Sequence, residues 1–195
     1  MAAKRKVDQG SIRHLQLRVS LLDVVPLVWR SVMVPETITL PKLHVTLLWT
    51  MGWDGGHLHE FRFLGRRYGE PDREWDQEDD VVPEHRVTLA KAFAGVTSTF
   101  EYLYDFGDSW RHLVQVEDYV QVTPAGAKQV RCVAGANACP PEDVGGVPGY
   151  EEFVASLADP THEDHESNLQ WVGGSFDPRA FNLDEVNERL AEIKL

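Results

Sequence analysis

Three histidines and two aspartates in the middle of the chain are the residues whose types and spacing suggest chemistry. His57 and His59 are alternate residues, which project from one face of a strand, so their imidazoles could converge on one metal ion. Asp105, Asp108 and His112 lie in a second stretch, and carboxylates beside imidazoles are common in metal sites and in general acid–base catalysis. The same pattern is typical of histidines at the edge of a core and of aspartates that accept hydrogen bonds within a turn.

Residues 102–116 are predicted to form a β-hairpin with two aspartates at its bend. Apolar and aromatic residues alternate on both sides of the bend, as they do in paired strands. Gly107 is expected to supply a positive φ angle there. The residues predicted to line a binding pocket are Tyr104, Asp105, Asp108, Trp110, His112, Glu142 and Asp143. The candidate metal ligands are His57, His59 and His112, for a divalent ion such as Zn, Mn or Fe.

Glu142 and Asp143 follow two prolines in a loop rich in proline and glycine. Their carboxylates could supply oxygen ligands to a cation, or they could cap a helix. A loop of this length in a compact domain usually has a function or is held by other parts of the molecule.

The charge of the chain is negative and unevenly distributed. The net charge is −12, and residues 142–195 contribute thirteen acidic and three basic side chains, a net −10. A field of this sign opposes binding to nucleic acid phosphates, so the predicted partner is a protein or a small molecule. No apolar run is long enough to cross a membrane, the first residues lack the apolar core of a signal peptide, and two cysteines are too few for a disulfide framework. A cytoplasmic location is expected.

The elements that must position these residues are strands early in the chain and helices late. Alternation predicts strands over 14–23, 28–34 and 57–63, and an apolar stripe predicts a helix over 40–51. An exposed acidic loop is expected over 69–84, a short helix over 89–94, and irregular chain over 123–149. Three further helices are expected: one over 150–157, one capped by Thr161, and one capped by Asn182.

The order of these elements predicts the α+β class. We expect a flexible tail at residues 1–11 and a single domain at 12–195, in which an antiparallel or mixed sheet packs against helices concentrated toward the C-terminus.

Several blocks along the chain resemble the plasmid pRiA4b ORF-3 family, whose members are also labelled as passenger proteins of mobile elements. The resemblance runs from about residue 14 to 190, and its most specific block is Tyr102 to His112. The other blocks that carry it are Val28-Trp29-Arg30, Met51-Gly52-Trp53, His57-Leu58-His59-Glu60-Phe61, Pro140-Pro141-Glu142-Asp143 with Gly145-Gly146, Gly149-Tyr150 and Asp177-Pro178.

The resemblance implies a single α+β domain and no particular activity. In the family a cysteine commonly follows the Pro-Pro-Glu-Asp motif, whereas Val144 stands at that position here. A metal or redox site that needed this thiol is therefore not expected in this chain.

Three functions from different classes are compatible with the sequence. The first is a non-catalytic binding or accessory module encoded with plasmid or mobile DNA, which acts through the pocket around the histidines and aspartates. The second is a metal-dependent hydrolase or lyase that uses histidine ligands and Asp105 or Asp108 as a base. The third is a DNA-binding accessory factor of a mobile element, which the negative charge disfavours.

Overall fold

The computed structural model describes residues 12–71, 81–93, 98–123, 126 and 129–195. These residues form one mixed sheet of eight strands and five helices, three of which lie after residue 145. The predicted α+β class is therefore confirmed. The predicted flexible tail at 1–11 lies outside the described residues.

The strands form a single sheet in the order β5-β4-β3-β6-β7-β1-β2-β8. Every neighbouring pair is antiparallel except β4 with β5, which are parallel. The strands are β1 (Ile12–Leu21), β2 (Trp29–Pro35), β3 (His59–Phe63), β4 (Arg66–Gly69), β5 (Val81–Pro83), β6 (Thr99–Tyr104), β7 (Trp110–Val122) and β8 (Arg131–Ala136). The helices are α1 (Leu40–Met51), α2 (Leu89–Phe93), α3 (Gly146–Ala158), α4 (His165–Trp171) and α5 (Leu183–Leu190).

The strongest local patterns of the sequence produce the central elements. Strand β1 lies between β2 and β7, and its alternate residues Leu15, Leu17, Val19 and Leu21 are all buried. Helix α1 buries the predicted stripe, since leucines at helical spacing share one face. The helix ends where Gly52 adopts a left-handed conformation at φ 112° and donates its N–H to Leu48 O.

The predicted hairpin is present, but its bend differs from the expected one. Strands β6 and β7 pair Tyr104 with Trp110 across a bend at residues 105–109. Gly107 does not have a positive φ angle, and the left-handed residues are Asp105 (φ 56°) and Ser109 (φ 57°). Aspartate tolerates this conformation because its carboxylate bonds to nearby amides, and the Asp105 carboxylate accepts from the N–H of Gly107 at 2.9 Å.

Two stretches predicted to be irregular contain short strands and the start of a helix. Within the predicted loop at 69–84, β5 pairs with β4, whereas residues 72–80 lie outside the described part. Within 123–149, β8 pairs with β2 at the sheet edge and α3 begins at Gly146. These pairings join segments distant in sequence, so the local pattern did not reveal them.

The predicted caps of the later helices had different outcomes. Asn182 caps α5 as expected: its side chain accepts from the N–H of Asp184 and of Glu185. Thr161 is not the cap of α4, because it bonds to the Asp159 carboxylate in the preceding turn and Asp164 is the N-cap. The predicted helix at 89–94 is described only as far as Phe93. In the described part of the chain no helix is both long and apolar enough to cross a membrane.

Candidate functional site

Three loops meet at the end of the sheet where β6 stops and β7 starts. We call residues 53–58, 105–109 and 140–145 the loop junction. The Asp105 N–H donates to Leu58 O at 2.9 Å, and the indole N–H of Trp53 donates to Pro140 O at 2.9 Å. The Gly145 N–H donates to Asp108 Oδ2 at 3.2 Å. These hydrogen bonds join all three loops, so side chains from distant parts of the sequence are brought together.

One histidine and two aspartates converge in the loop junction. His57 Nδ1 lies 3.5 Å from Asp105 Oδ2, and His57 Nε2 lies 3.2 Å from Asp143 Oδ1. One ligand atom from each of the three residues lies within 4.8 Å of the other two. The side chain of Asp105 is 12% exposed, that of His57 33% and that of Asp143 72%. The cluster is therefore anchored on a buried carboxylate and open to solvent on the opposite side.

Asp105 has a structural role in the turn and also faces the cluster. Its Oδ1 accepts from the N–H groups of Gly107 and Asp108, while its Oδ2 is the atom that faces His57. Asp105 and Asp143 both have left-handed backbone conformations, at φ 56° and 60°. Such conformations in residues other than glycine are uncommon and concentrate at ligand sites. Backbone geometry thus helps to place both carboxylates, and hydrogen bonds from the turn amides also hold that of Asp105.

Tyr104 and Glu142 form a pair that holds two of the loops together. The Tyr104 hydroxyl donates to Glu142 Oε1 at 2.5 Å, and the Glu142 carboxylate also accepts from the N–H of Asp54 and of Gly55. Burial, followed by the adjacent Glu142 carboxylate, raises the pKa of Tyr104 well above its usual value. The phenol therefore stays neutral and remains a donor. Glu142 spans the loops and lies outside the cluster of His57, Asp105 and Asp143.

His59 has a different environment from His57. Its Nε2 lies 3.1 Å from Glu84 Oε2, and its ring stacks on that of His44 at 3.5 Å with an interplanar angle of 7°. His44 Nδ1 in turn lies 2.8 Å from the Tyr102 hydroxyl. Burial, and to a lesser extent His59, lowers the pKa of His44 to about 3. Sequence reasoning missed His44 and Glu84, although His44 adjoins the leucine stripe of α1.

His112 is buried in the core behind the loop junction. Its Nδ1 bonds to Tyr102 O at 3.2 Å, and because a carbonyl only accepts, Nδ1 carries the proton. Nε2 has no hydrogen-bond partner among the described residues, and the ring meets that of Trp53 edge-on at 5.5 Å. Trp110 is also buried, with its ring 5.8 Å from Trp53. In the described part of the chain, the histidines predicted to share a metal therefore do not form one ligand set.

Comparison with known proteins places the chain in a family. The profile of the family described as plasmid pRiA4b ORF-3-like protein matches residues 13–185, which include the whole loop junction. The chain belongs to the pRiA4b ORF-3-like family.

A curated relative and a solved structure extend this result. The pRiA4b ORF-3-like chain is 41% identical over 182 residues to the uncharacterized protein y4hQ of Sinorhizobium fredii, covering 92% of the chain and 91% of that protein. It also matches the crystal structure of a protein of unknown function from Methanosarcina mazei Go1, with 33% identity and a TM-score of 0.79. That match covers 90% of this chain and 98% of the other.

The cluster of this pRiA4b ORF-3-like protein presents nitrogen and oxygen atoms only. Val144 follows Asp143 and is partly buried against the core. The cysteines are Cys132, which is buried, and Cys139, which is partly exposed. Desolvation raises the pKa of both thiols above the usual value, so neither is disposed to act as a thiolate ligand. The ligand chemistry of the cluster is therefore that of one imidazole and two carboxylates.

The burial of His112 predicts that this pRiA4b ORF-3-like protein loses stability in mild acid. Desolvation lowers the pKa of His112 from 6.5 to about 4, and the carbonyls of Tyr102 and Trp110 only partly oppose this shift. The unfolded chain therefore binds a proton near pH 6.5 that the folded chain excludes until about pH 4. The contribution of neutral His112 to the free energy of unfolding is complete above pH 6.5 and decreases as the pH falls toward 4. We expect His112 to reduce the free energy of unfolding by about 2 kcal/mol between pH 7 and pH 5.

Urea denaturation of the wild type and of His112→Leu at both pH values measures this contribution. The substitution removes the titrating ring and keeps an apolar side chain at a buried position. The variant is expected to lose less stability than the wild type between the two pH values. An equal pH dependence in both proteins would contradict the prediction.

Proposed function

We propose that this protein is a non-catalytic binding module whose loop junction holds a divalent metal ion through His57, Asp105 and Asp143. The observation that supports the proposal most directly is the convergence of three ligand atoms from three separate loops within 4.8 Å. One imidazole and two carboxylates suit Zn, Mn or Fe, which accept mixed nitrogen and oxygen ligands. The family name mentions a plasmid, which supports a role beside plasmid DNA.

The hydrogen bonds of the neighbouring carboxylates support binding over catalysis. Hydrolysis at a metal needs a group that can take a proton from the attacking water. Asp108 accepts from the Gly145 amide, and Glu142 is engaged by Tyr104 and two amides. Both carboxylates therefore have a structural role in holding the loops together.

The exposure of Asp143 favours a metal-dependent hydrolase as the second candidate. Catalytic zinc sites combine three protein ligands with an open position for water, and the Asp143 side chain is 72% exposed. Hydrolysis of p-nitrophenyl acetate or p-nitrophenyl phosphate by the Zn²⁺- or Mn²⁺-loaded protein, lost in His57→Ala, would favour this candidate. We expect no such turnover.

Metal titration of the untagged protein tests the proposed site. We expect calorimetry with Zn²⁺ or Mn²⁺ to show about one ion per chain, and His57→Ala to weaken the affinity by about 100-fold, because a direct ligand is lost. Asp105→Asn keeps the oxygen that accepts from the turn amides but loses the negative charge facing His57. We therefore expect an affinity about tenfold or more below the wild type, with the fold retained.

His162→Ala is the matched control for these variants. His162 also lies beside a carboxylate, with Nε2 3.0 Å from Glu152 Oε1, but it is outside the cluster. The metal affinity of His162→Ala should equal that of the wild type. The proposal is wrong if the wild type binds no ion, or if the control loses as much affinity as His57→Ala.

A further inference from the structure

A groove opens beside Asp143 between helices α3 and α4. Its volume is about 370 Å³, within the roughly 300–1,000 Å³ that is common for ligand pockets. Phe153 and Val144 line it with apolar surface, and Trp171, Asp143 and Glu152 also contribute to its lining. Only Asp143 is shared with the proposed metal site.

The aromatic part of the groove combines a buried ring with an exposed one. Phe153 is 3% exposed and belongs to the core, whereas Trp171 is 49% exposed. The two rings meet edge-on, with centroids 5.6 Å apart and an interplanar angle of 89°. The indole is thus held by a core residue, while half of its surface remains accessible to a ligand.

The charge of the groove is negative. The side chains of Asp143 and Glu152 are 72% and 68% exposed, and neither lysine nor arginine is among the described residues that line it. Glu152 Oε1 lies 3.0 Å from His162 Nε2. The other carboxylate oxygen, Oε2, forms no hydrogen bond or ion pair with the described residues. An accessible indole beside carboxylates is the combination that attracts cations, because the ring face is also electronegative.

We propose that this groove binds a lysine or arginine side chain from a basic segment of a partner protein. The aliphatic stem packs on Trp171 and Val144, and the charged head pairs with the carboxylates of Glu152 and Asp143. Further exposed acidic side chains lie in and between the two helices that form the groove, and this negative charge favours a segment with several basic residues over a single amine. They are Glu163 between the helices and Glu166 in α4, both exposed.

Fluorescence anisotropy with a labelled basic peptide tests this inference. The probe is a peptide of alternating lysine and glycine, and the reference is the same peptide with glutamine in place of lysine. We expect the basic peptide to bind the wild type at least tenfold more tightly than the reference does. Trp171→Ala and Glu152→Gln should each weaken binding of the basic peptide by about tenfold, because they remove the surface for the stem and the partner of the head.

Glu151→Gln is the matched control, because it removes the same charge from the same helix outside the groove. We expect it to change the affinity by less than about twofold, since screened surface charges interact weakly. The assay contains EDTA, so peptide binding is measured without metal and this proposal is tested separately from that of the metal site. Equal weakening by Glu151→Gln and Glu152→Gln, or unchanged binding by Trp171→Ala, would overturn the proposal.

Discussion

Replacement of Arg30 by methionine is expected to lower the free energy of unfolding by about 3–5 kcal/mol. Arg30 is 2% exposed, and its guanidinium bonds only to backbone carbonyls among the described residues. Nε donates to Thr50 O at 3.0 Å, and the Nη atoms donate to the carbonyls of Trp29, Ala136 and Asn137 at 2.8–2.9 Å. One side chain thus joins the end of α1 to the adjacent ends of β2 and β8.

Arg30 stabilises the fold by donating hydrogen bonds to carbonyls, which no apolar side chain can do. Desolvation lowers the pKa of Arg30. Because a guanidinium stays protonated in proteins, the four hydrogen bonds are charge-assisted. The guanidinium also lies over the Phe181 ring, with its central carbon 4.4 Å from the ring centroid. Methionine fills similar space and offers no donor, so the variant buries carbonyls without partners.

Two further variants separate this role from a general effect of charge. Arg30→Lys keeps the charge but places its donors on one atom, which cannot reach four carbonyls, so we expect a loss of about 2 kcal/mol or more. Arg111→Met removes an exposed arginine that pairs with the exposed Asp23, and should cost less than about 1 kcal/mol. Urea denaturation measures all three proteins. A loss below 1 kcal/mol in Arg30→Met would contradict the assigned role.

The elements that could be predicted from the sequence are those whose pattern is local. The alternation in β1, the leucine stripe of α1 and the Asn182 cap of α5 each depend on residues a few positions apart. Strands β5 and β8 were not predicted because they depend on pairing with β4 and β2, and β5 has only three residues. Glu84 was assigned to an exposed loop for the same reason, although its side chain is buried beside His59.

The candidate site could be predicted residue by residue but not as a set. His57, Asp105 and Asp143 were all identified from the sequence, but the expected fellow metal ligands of His57 were His59 and His112, and Asp105 was expected in the same pocket as a base. That grouping assumed a strand from residue 57, but β3 begins at His59, so His57 lies on a loop and turns toward Asp105. The proximity of Asp143 to His57 depends on how the loop before α3 packs on the hairpin. Such packing cannot be predicted from the spacing of residues along the sequence.

That packing depends on Gly149, and Gly149→Ala is expected to disturb both the fold and the candidate site. A Cβ atom at residue 149 would lie 2.0 Å from the carbonyl oxygen of Val144 and 2.9 Å from its carbon. Both are backbone atoms, so rotation of a side chain cannot relieve the overlap, and the loop before α3 has to move. We expect the free energy of unfolding to fall by about 3 kcal/mol or more.

The displaced peptide group is the one that links α3 to the hairpin, and this makes the effect on the site specific. Val144 lies between Asp143, a member of the cluster, and Gly145, whose N–H donates to Asp108 Oδ2. Movement of the Val144 carbonyl therefore shifts Asp143 away from His57, and we expect Zn²⁺ affinity to fall by about tenfold or more in the variant that remains folded.

Gly56→Ala is the control in the same junction, since its Cβ would meet no atom within 4 Å and its φ is not left-handed. It should change stability by less than about 0.5 kcal/mol and leave affinity unchanged. Urea denaturation and calorimetry measure both variants, and wild-type values in Gly149→Ala would show that the close approach to Val144 does not position Asp143.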